Sequence, residues 1–137
     1  MLRQILVGGL VSICNITIHA LVMTAVVRVA QAVSAKNKSR PATHLPSLMI
    51  ATVSVLMAAH VSEVFVWALA YSIVGAAPDG ARLVYFAFVN YTTLGYGDVI
   101  PIERWQLLGP MTAMNGVLLF GWSTAVIFEV LRRVMIK

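Results

Sequence analysis

Charge is what this sequence has least of. Asp, Glu, Lys and Arg make up 11% of its 137 residues, against 60% apolar, where a soluble domain carries about 25% charge. That shortage excludes an ordinary water-facing surface and makes a bilayer the expected solvent. Cysteine is almost missing: Cys14 is alone, which excludes an intrachain disulfide. Acidic residues number five against ten basic ones. The basic ones gather at the ends of apolar runs and not along one face, so topology and anionic lipid account for them and nucleic acid does not. Nucleophile patterns, phosphate loops and metal-ligand spacings are also missing, so neither an enzyme nor a cofactor is expected.

What is present is length without charge. Residues 5–27 hold no charged side chain, residues 47–74 hold only Glu63, and residues 105–128 hold none. Each run exceeds the roughly 20 residues that cross a hydrocarbon core of about 30 Å. The first is too long for the apolar part of a signal peptide and lacks a small-x-small cleavage pattern, so it is read as a mature transmembrane helix. The run from Ala81 to Tyr91 is too short to cross.

In chain order, a first helix is expected from about Gln4 to Ala35, ending in the basic loop Lys36-Asn37-Lys38-Ser39-Arg40-Pro41. A second starts near Pro46 and runs to Val74, and a third runs from Trp105 to Val134, ahead of Lys137. Three spans put the basic loop and the tail with Arg132, Arg133 and Lys137 on one side, cytoplasmic by the positive-inside rule. The amino terminus and the segment between the second and third helices then lie outside. Trp67, Tyr71 and Trp105 fall near the outer ends, where an aromatic belt is expected. Asp79 is a candidate N-cap for a short helix over Ala81–Thr92 that enters from outside and stops part way across.

That short helix leads into Thr92-Thr93-Leu94-Gly95-Tyr96-Gly97-Asp98. A run of carbonyls faces one side only if successive residues alternate between right-handed and left-handed conformations, and glycine takes the left-handed wells at little cost. Gly95 and Gly97 have that spacing. The carbonyls of Thr93, Leu94, Gly95 and Tyr96 would then replace the water around a dehydrated cation.

The stretch closely resembles the potassium-channel signature usually written TVGYG, with Leu94 for the commoner valine, a mild change because its carbonyl carries the role. From about Gly75 to Leu131, the short helix, the filter, Val99-Ile100-Pro101 and a glycine-containing inner helix follow the order of the tetrameric potassium-channel pore module, of the bacterial two-transmembrane type. The resemblance implies an all-α membrane protein with three transmembrane helices plus a re-entrant pore helix and filter loop per subunit, assembled as a C4 homotetramer. Residues 46–137 would be the pore module, and residues 1–45 an extra transmembrane helix and its basic loop, on which the resemblance is silent. It also implies K⁺ at Thr93, Leu94, Gly95 and Tyr96, with Gly97 completing the filter. Asp98 would stand at the outer mouth, with Tyr85, Phe86 and Thr92 as filter support alongside Phe88. Many members have tryptophans where Tyr85 and Phe86 stand, so a partner for Asp98 has to be found here, the Tyr85 hydroxyl being one choice. Gly116, near the middle of the inner helix, and Gly121 are candidate gating hinges, although small residues also serve close helix packing.

No ladder of arginines is present, so no voltage sensor is expected. Polar groups deep in the spans are costly and therefore informative. Glu63 lies about 18 Å down the second helix and His19 about 21 Å down the first, so the two are level. Asn15 pairs in face with His19, and His60 with Glu63. These four are expected to form a polar patch fastening the extra helix to the pore module, with a proton site and a metal site as other readings. Glu129 either forms an acidic ring at the inner mouth or pairs with Arg133. The expected function is passive potassium conduction, with a weakly selective cation channel or a non-conducting membrane interaction subunit as alternatives. The expected partners are further copies of the chain and the lipid bilayer.

Overall fold

A computed structural model describes residues 1–36 and 41–135. The described residues form α1 (Leu2–Lys36), α2 (Pro41–Val74), the short α3 (Leu83–Tyr91) and α4 (Leu108–Met135), with a 3-10 turn at Glu103–Trp105 and no strand. Three stretches, Leu2–Val33, Leu45–Val74 and Glu103–Arg133, are long and apolar enough to cross a membrane. This is the all-helical fold expected. Lys38, Arg40 and Lys137 lie outside the described residues.

The helix boundaries differ from expectation in three places. α2 begins at Pro41 and runs through Pro46. Pro41 opens the first turn, where a missing N–H costs nothing, and Pro46 removes only one bond of the ladder a turn later. α3 begins at Leu83, so Asp79 is not its N-cap; Arg82 holds that position in an extended conformation without a side-chain cap. The cause is a tight turn in which the Ala81 N–H donates to the Pro78 carbonyl and Gly80 sits at φ +77°. α4 begins at Leu108, which leaves Pro110 in its first turn, where no kink is required.

α1 packs against α2 and α4, and α3 is held between α2 and α4. Near the α3 end of the bundle, Trp67, Tyr71, Phe86, Tyr91, Trp105 and Leu108 make one buried apolar cluster. At the opposite end Met23, Val26, Ala30, Leu56, Val126 and Val130 make another. Each long helix carries two buried polar residues between these clusters: Asn15 and His19 on α1, His60 and Glu63 on α2, Asn115 and Ser123 on α4, while the buried Thr52 and Thr112 lie at the clusters themselves.

Trp67, Tyr71 and Trp105 therefore do not form a lipid-facing belt. All three are buried, because the tips of two find partners inside the bundle: Trp67 Nε1–H donates to Asn115 Oδ1 at 3.0 Å, and the Tyr71 hydroxyl lies 2.5 Å from Thr112 Oγ1. Two contacts tie the ends of distant elements. The Leu107 N–H donates to Gln4 Oε1 at 2.8 Å, and the Ile102 N–H to the Ala76 carbonyl at 2.9 Å. The start of α1 thus lies at the same end of the bundle as the start of α4.

Candidate functional site

α3 is nine residues long, about 14 Å at 1.5 Å per residue. Its last turn closes on the segment that follows: the Thr92 N–H and hydroxyl both donate to the Phe88 carbonyl, and the Leu94 N–H donates to the Val89 carbonyl at 3.0 Å. Beyond it the backbone alternates. Thr93, Gly95 and Gly97 have φ of +61°, +57° and +77°, while Leu94 and Tyr96 between them do not have positive φ. Thr93 is the one non-glycine residue with positive φ among the described residues, a conformation that costs about 1–3 kcal/mol. Leu94 and Tyr96 are exposed on the surface of the single chain.

Asp98 finds a partner on α3. The Tyr85 hydroxyl donates to Asp98 Oδ2 at 2.7 Å, and that bond, ahead of the carboxylate's charge, pushes the Tyr85 phenol above its usual range. Phe86 is fully buried, 4.9 Å between ring centroids from Tyr71, and so packs α3 against α2. Phe88 is partly exposed on the surface of the single chain.

The two candidate hinge glycines differ. A Cβ on Gly116 would overlap the Tyr91 carbonyl at the end of α3, whereas one on Gly121 would meet nothing within 4 Å. Gly116 is thus a close-approach position inside the continuous helix α4. Glu129 is engaged by Arg132 at 2.8 Å and by Arg133, both on its own helix.

Asn15, His19, His60 and Glu63 come together in the buried layer between the two clusters. His19 Nδ1 lies 2.8 Å from Glu63 Oε1, and His60 Nδ1 lies 3.1 Å from Glu63 Oε2. Asn15 Nδ2–H donates to the Glu63 carbonyl at 3.2 Å and to Asn115 Oδ1 at 3.1 Å. Three further residues complete the layer that sequence reasoning did not include. The Tyr91 hydroxyl donates to Glu63 Oε2 at 2.5 Å and lies 2.9 Å from His60 Nδ1. Ser123 Oγ lies 2.9 Å from His60 Nε2 and 3.3 Å from His19 Nε2. Asn115 bridges Asn15 and Trp67. Counting depth along α4 as along α1 and α2 would have found Asn115 and Ser123, since polar residues inside an apolar run are the signal.

The layer joins all four helices, and Tyr91 carries it to within two residues of Thr93. Two imidazoles and one hydroxyl meet the Glu63 carboxyl group, and among the described residues no Arg or Lys does.

Among known families, a model described as ion channel matches residues 59–133. Comparisons with curated proteins and with solved structures return no match.

Proposed function

The chain belongs to the ion channel family, and from that premise we propose that it is a potassium-selective channel whose filter is Thr93–Gly97, contributed by four copies around one axis. As a member of that family with three apolar helices, it is an integral membrane protein through which ions pass down their electrochemical gradient. The observation that carries the finer reading is the left-handed backbone at Thr93, Gly95 and Gly97, in alternation with Leu94 and Tyr96. Only such a ribbon turns successive carbonyls the same way.

In this reading the carbonyls of Thr93, Leu94, Gly95 and Tyr96 take the place of the hydration shell of K⁺, which is cargo and not a resident cofactor. Several sites in a row, densely occupied, let repulsion between neighbouring ions offset tight binding. α3 enters part way and aims its carbonyl end at the pore axis, stabilising a cation below the filter by about 0.3–1 kcal/mol per helix. Non-helical backbone is tolerated at that depth because it lines water. Asp98, held by Tyr85, gathers cations at the outer mouth. The basic loop after α1 and the basic carboxyl end face the cytoplasm, which puts the amino terminus outside.

The test is flux through the purified protein in liposomes. Rubidium uptake driven by a potassium gradient and blocked by barium is expected, with a reversal potential that follows potassium and ignores sodium. A reversal potential that follows both cations equally would replace this reading with a weakly selective channel. Uptake no greater than in empty liposomes, from a protein that crosslinks as a tetramer, would leave an interaction subunit.

A further inference from the structure

Four side chains in the buried layer form a closed ring. Glu63 Oε1 meets His19 Nδ1 at 2.8 Å, His19 Nε2 meets Ser123 Oγ at 3.3 Å, Ser123 Oγ meets His60 Nε2 at 2.9 Å, and His60 Nδ1 returns to Glu63 Oε2 at 3.1 Å. The Tyr91 hydroxyl adds a fifth contact, 2.5 Å from Glu63 Oε2, and a sixth, 2.9 Å from His60 Nδ1, where it can share the hydrogen that lies between His60 Nδ1 and Glu63 Oε2. Each contact between two polar atoms at such a distance needs one hydrogen between them. Neutral His19 and His60 bring one each, Ser123 one and Tyr91 one, while a carboxylate brings none. With the shared hydrogen at the His60–Tyr91–Glu63 corner counted once, that is four hydrogens where five are needed.

We infer that the ring of Glu63, His19, Ser123 and His60 is a binding site for one exchangeable proton, shared by helices α1, α2 and α4. With the fifth hydrogen in place every contact is made, whether the proton rests on a histidine or on Glu63, because the Ser123 hydroxyl can turn from one imidazole to the other. Charge points the same way. The carboxylate alone is a net negative charge in a layer where His19 and Glu63 are fully buried, and one added proton makes the ring neutral. An uncompensated charge at that depth is costly.

The groups facing the ring are accounted for on every helix packed around it. α1 brings His19, α2 brings His60 and Glu63, and α3 brings Tyr91. Among the described residues α4 brings no titratable group there, only Ser123 and the rings of Phe120 and Trp122. His19, His60 and Glu63 also have the composition of a metal site, with donor atoms within 4.8 Å of one another. Here, however, the two Nδ1 atoms face separate oxygens of one carboxylate and the two Nε2 atoms face one hydroxyl, so each ligand atom is already directed at a neighbour in the ring and not at a common centre.

The site rests on helix packing and not on ion selectivity, so it can be tested apart from conduction. The folded ring holds a proton that the histidines of the unfolded chain give up above about pH 7. The sign is therefore fixed: the native state binds more protons, and stability falls as pH rises. For the full chain in detergent micelles, the folding constant should fall about tenfold per pH unit above that point. Glu63→Gln supplies amide hydrogens without charge and completes the ring by itself, so that slope should vanish. Where Glu63→Gln does not fold, nitrogen-15 spectra of the wild-type histidines decide. His19 and His60 should lose one proton between them in a single shared step.

A wild-type protein with level stability, a Glu63→Gln protein with the wild-type slope, or two histidines titrating independently would overturn the inference. So would one zinc or cobalt ion per chain, added as the metal alone, that binds tightly and abolishes the slope.

Discussion

Gly116 lies against the carbonyl of Tyr91, so close that a Cβ on it would overlap the oxygen. The middle of α4 reaches the last turn of α3 only because this position has no side chain. Gly116→Ala gains up to about 1 kcal/mol in helix propensity but meets an overpacking cost of about 1–3 kcal/mol. The cost wins, because the atom in the way is backbone and cannot swing aside. A lower melting temperature in detergent is expected for Gly116→Ala, and an unchanged or higher one for Gly121→Ala, which points into open space. If both variants melt like the wild type and both fail only to open, the two glycines are hinges.

Asn115→Ala removes the oxygen that accepts from Trp67 Nε1 and Asn15 Nδ2. Asn15 keeps its bond to the Glu63 carbonyl, whereas Trp67 is left as a buried donor without an acceptor. The expected loss is about 1–3 kcal/mol, read by thermal unfolding. Unfolding unchanged from the wild type would show that the Trp67–Asn115 bond adds nothing.

Tyr85→Phe deletes the donor that holds Asp98. Potassium current should appear and then decay several times faster than in the wild type. The phenol ionises above its usual range because of that same bond, so the wild-type decay should stay level through neutral pH and quicken only at strongly alkaline pH. In Tyr85→Phe the alkaline rise should be missing. Equal decay in both proteins would detach Asp98 from filter stability.

Gly95→Ala forces an L side chain into a left-handed conformation at about 1–2 kcal/mol. Its Cβ would meet nothing nearer than the Thr93 carbonyl at 3.9 Å, so the penalty is conformational and not a clash. Rubidium uptake should fall to background while the helical circular dichroism is unchanged. Normal uptake would mean that the carbonyl run does not need a left-handed residue there.

The three spans were legible because they depend only on length and charge, and the Thr92–Asp98 segment because two glycines two residues apart announce alternating backbone. Asn15, His19, His60 and Glu63 were legible from depth and from their spacing on one face of each helix. Depth misled for Trp67, Tyr71 and Trp105, since it says how far along a helix a ring lies and not which way it faces. Tyr91 was missed because a tyrosine at the end of a short helix carries no periodic signal, and its partner Glu63 is 28 residues earlier. The start of α3 was misplaced because Asp79 fits a cap by type, while the turn at Pro78–Ala81 takes the chain elsewhere.

The polar layer between the two apolar clusters bears on how the chain is made. α1 leaves the ribosome carrying Asn15 and His19 before α2 and α4 exist to receive them, and α2 brings Glu63 into lipid before α4 supplies Ser123. The polar groups of each early segment are unmet until its successors arrive, so biogenesis should run as a relay in which α2 rescues α1 and α4 seals both. Severing the chain between α1 and α2 and expressing the halves together should therefore restore assembly, whereas α1 expressed alone should be cleared by membrane proteolysis.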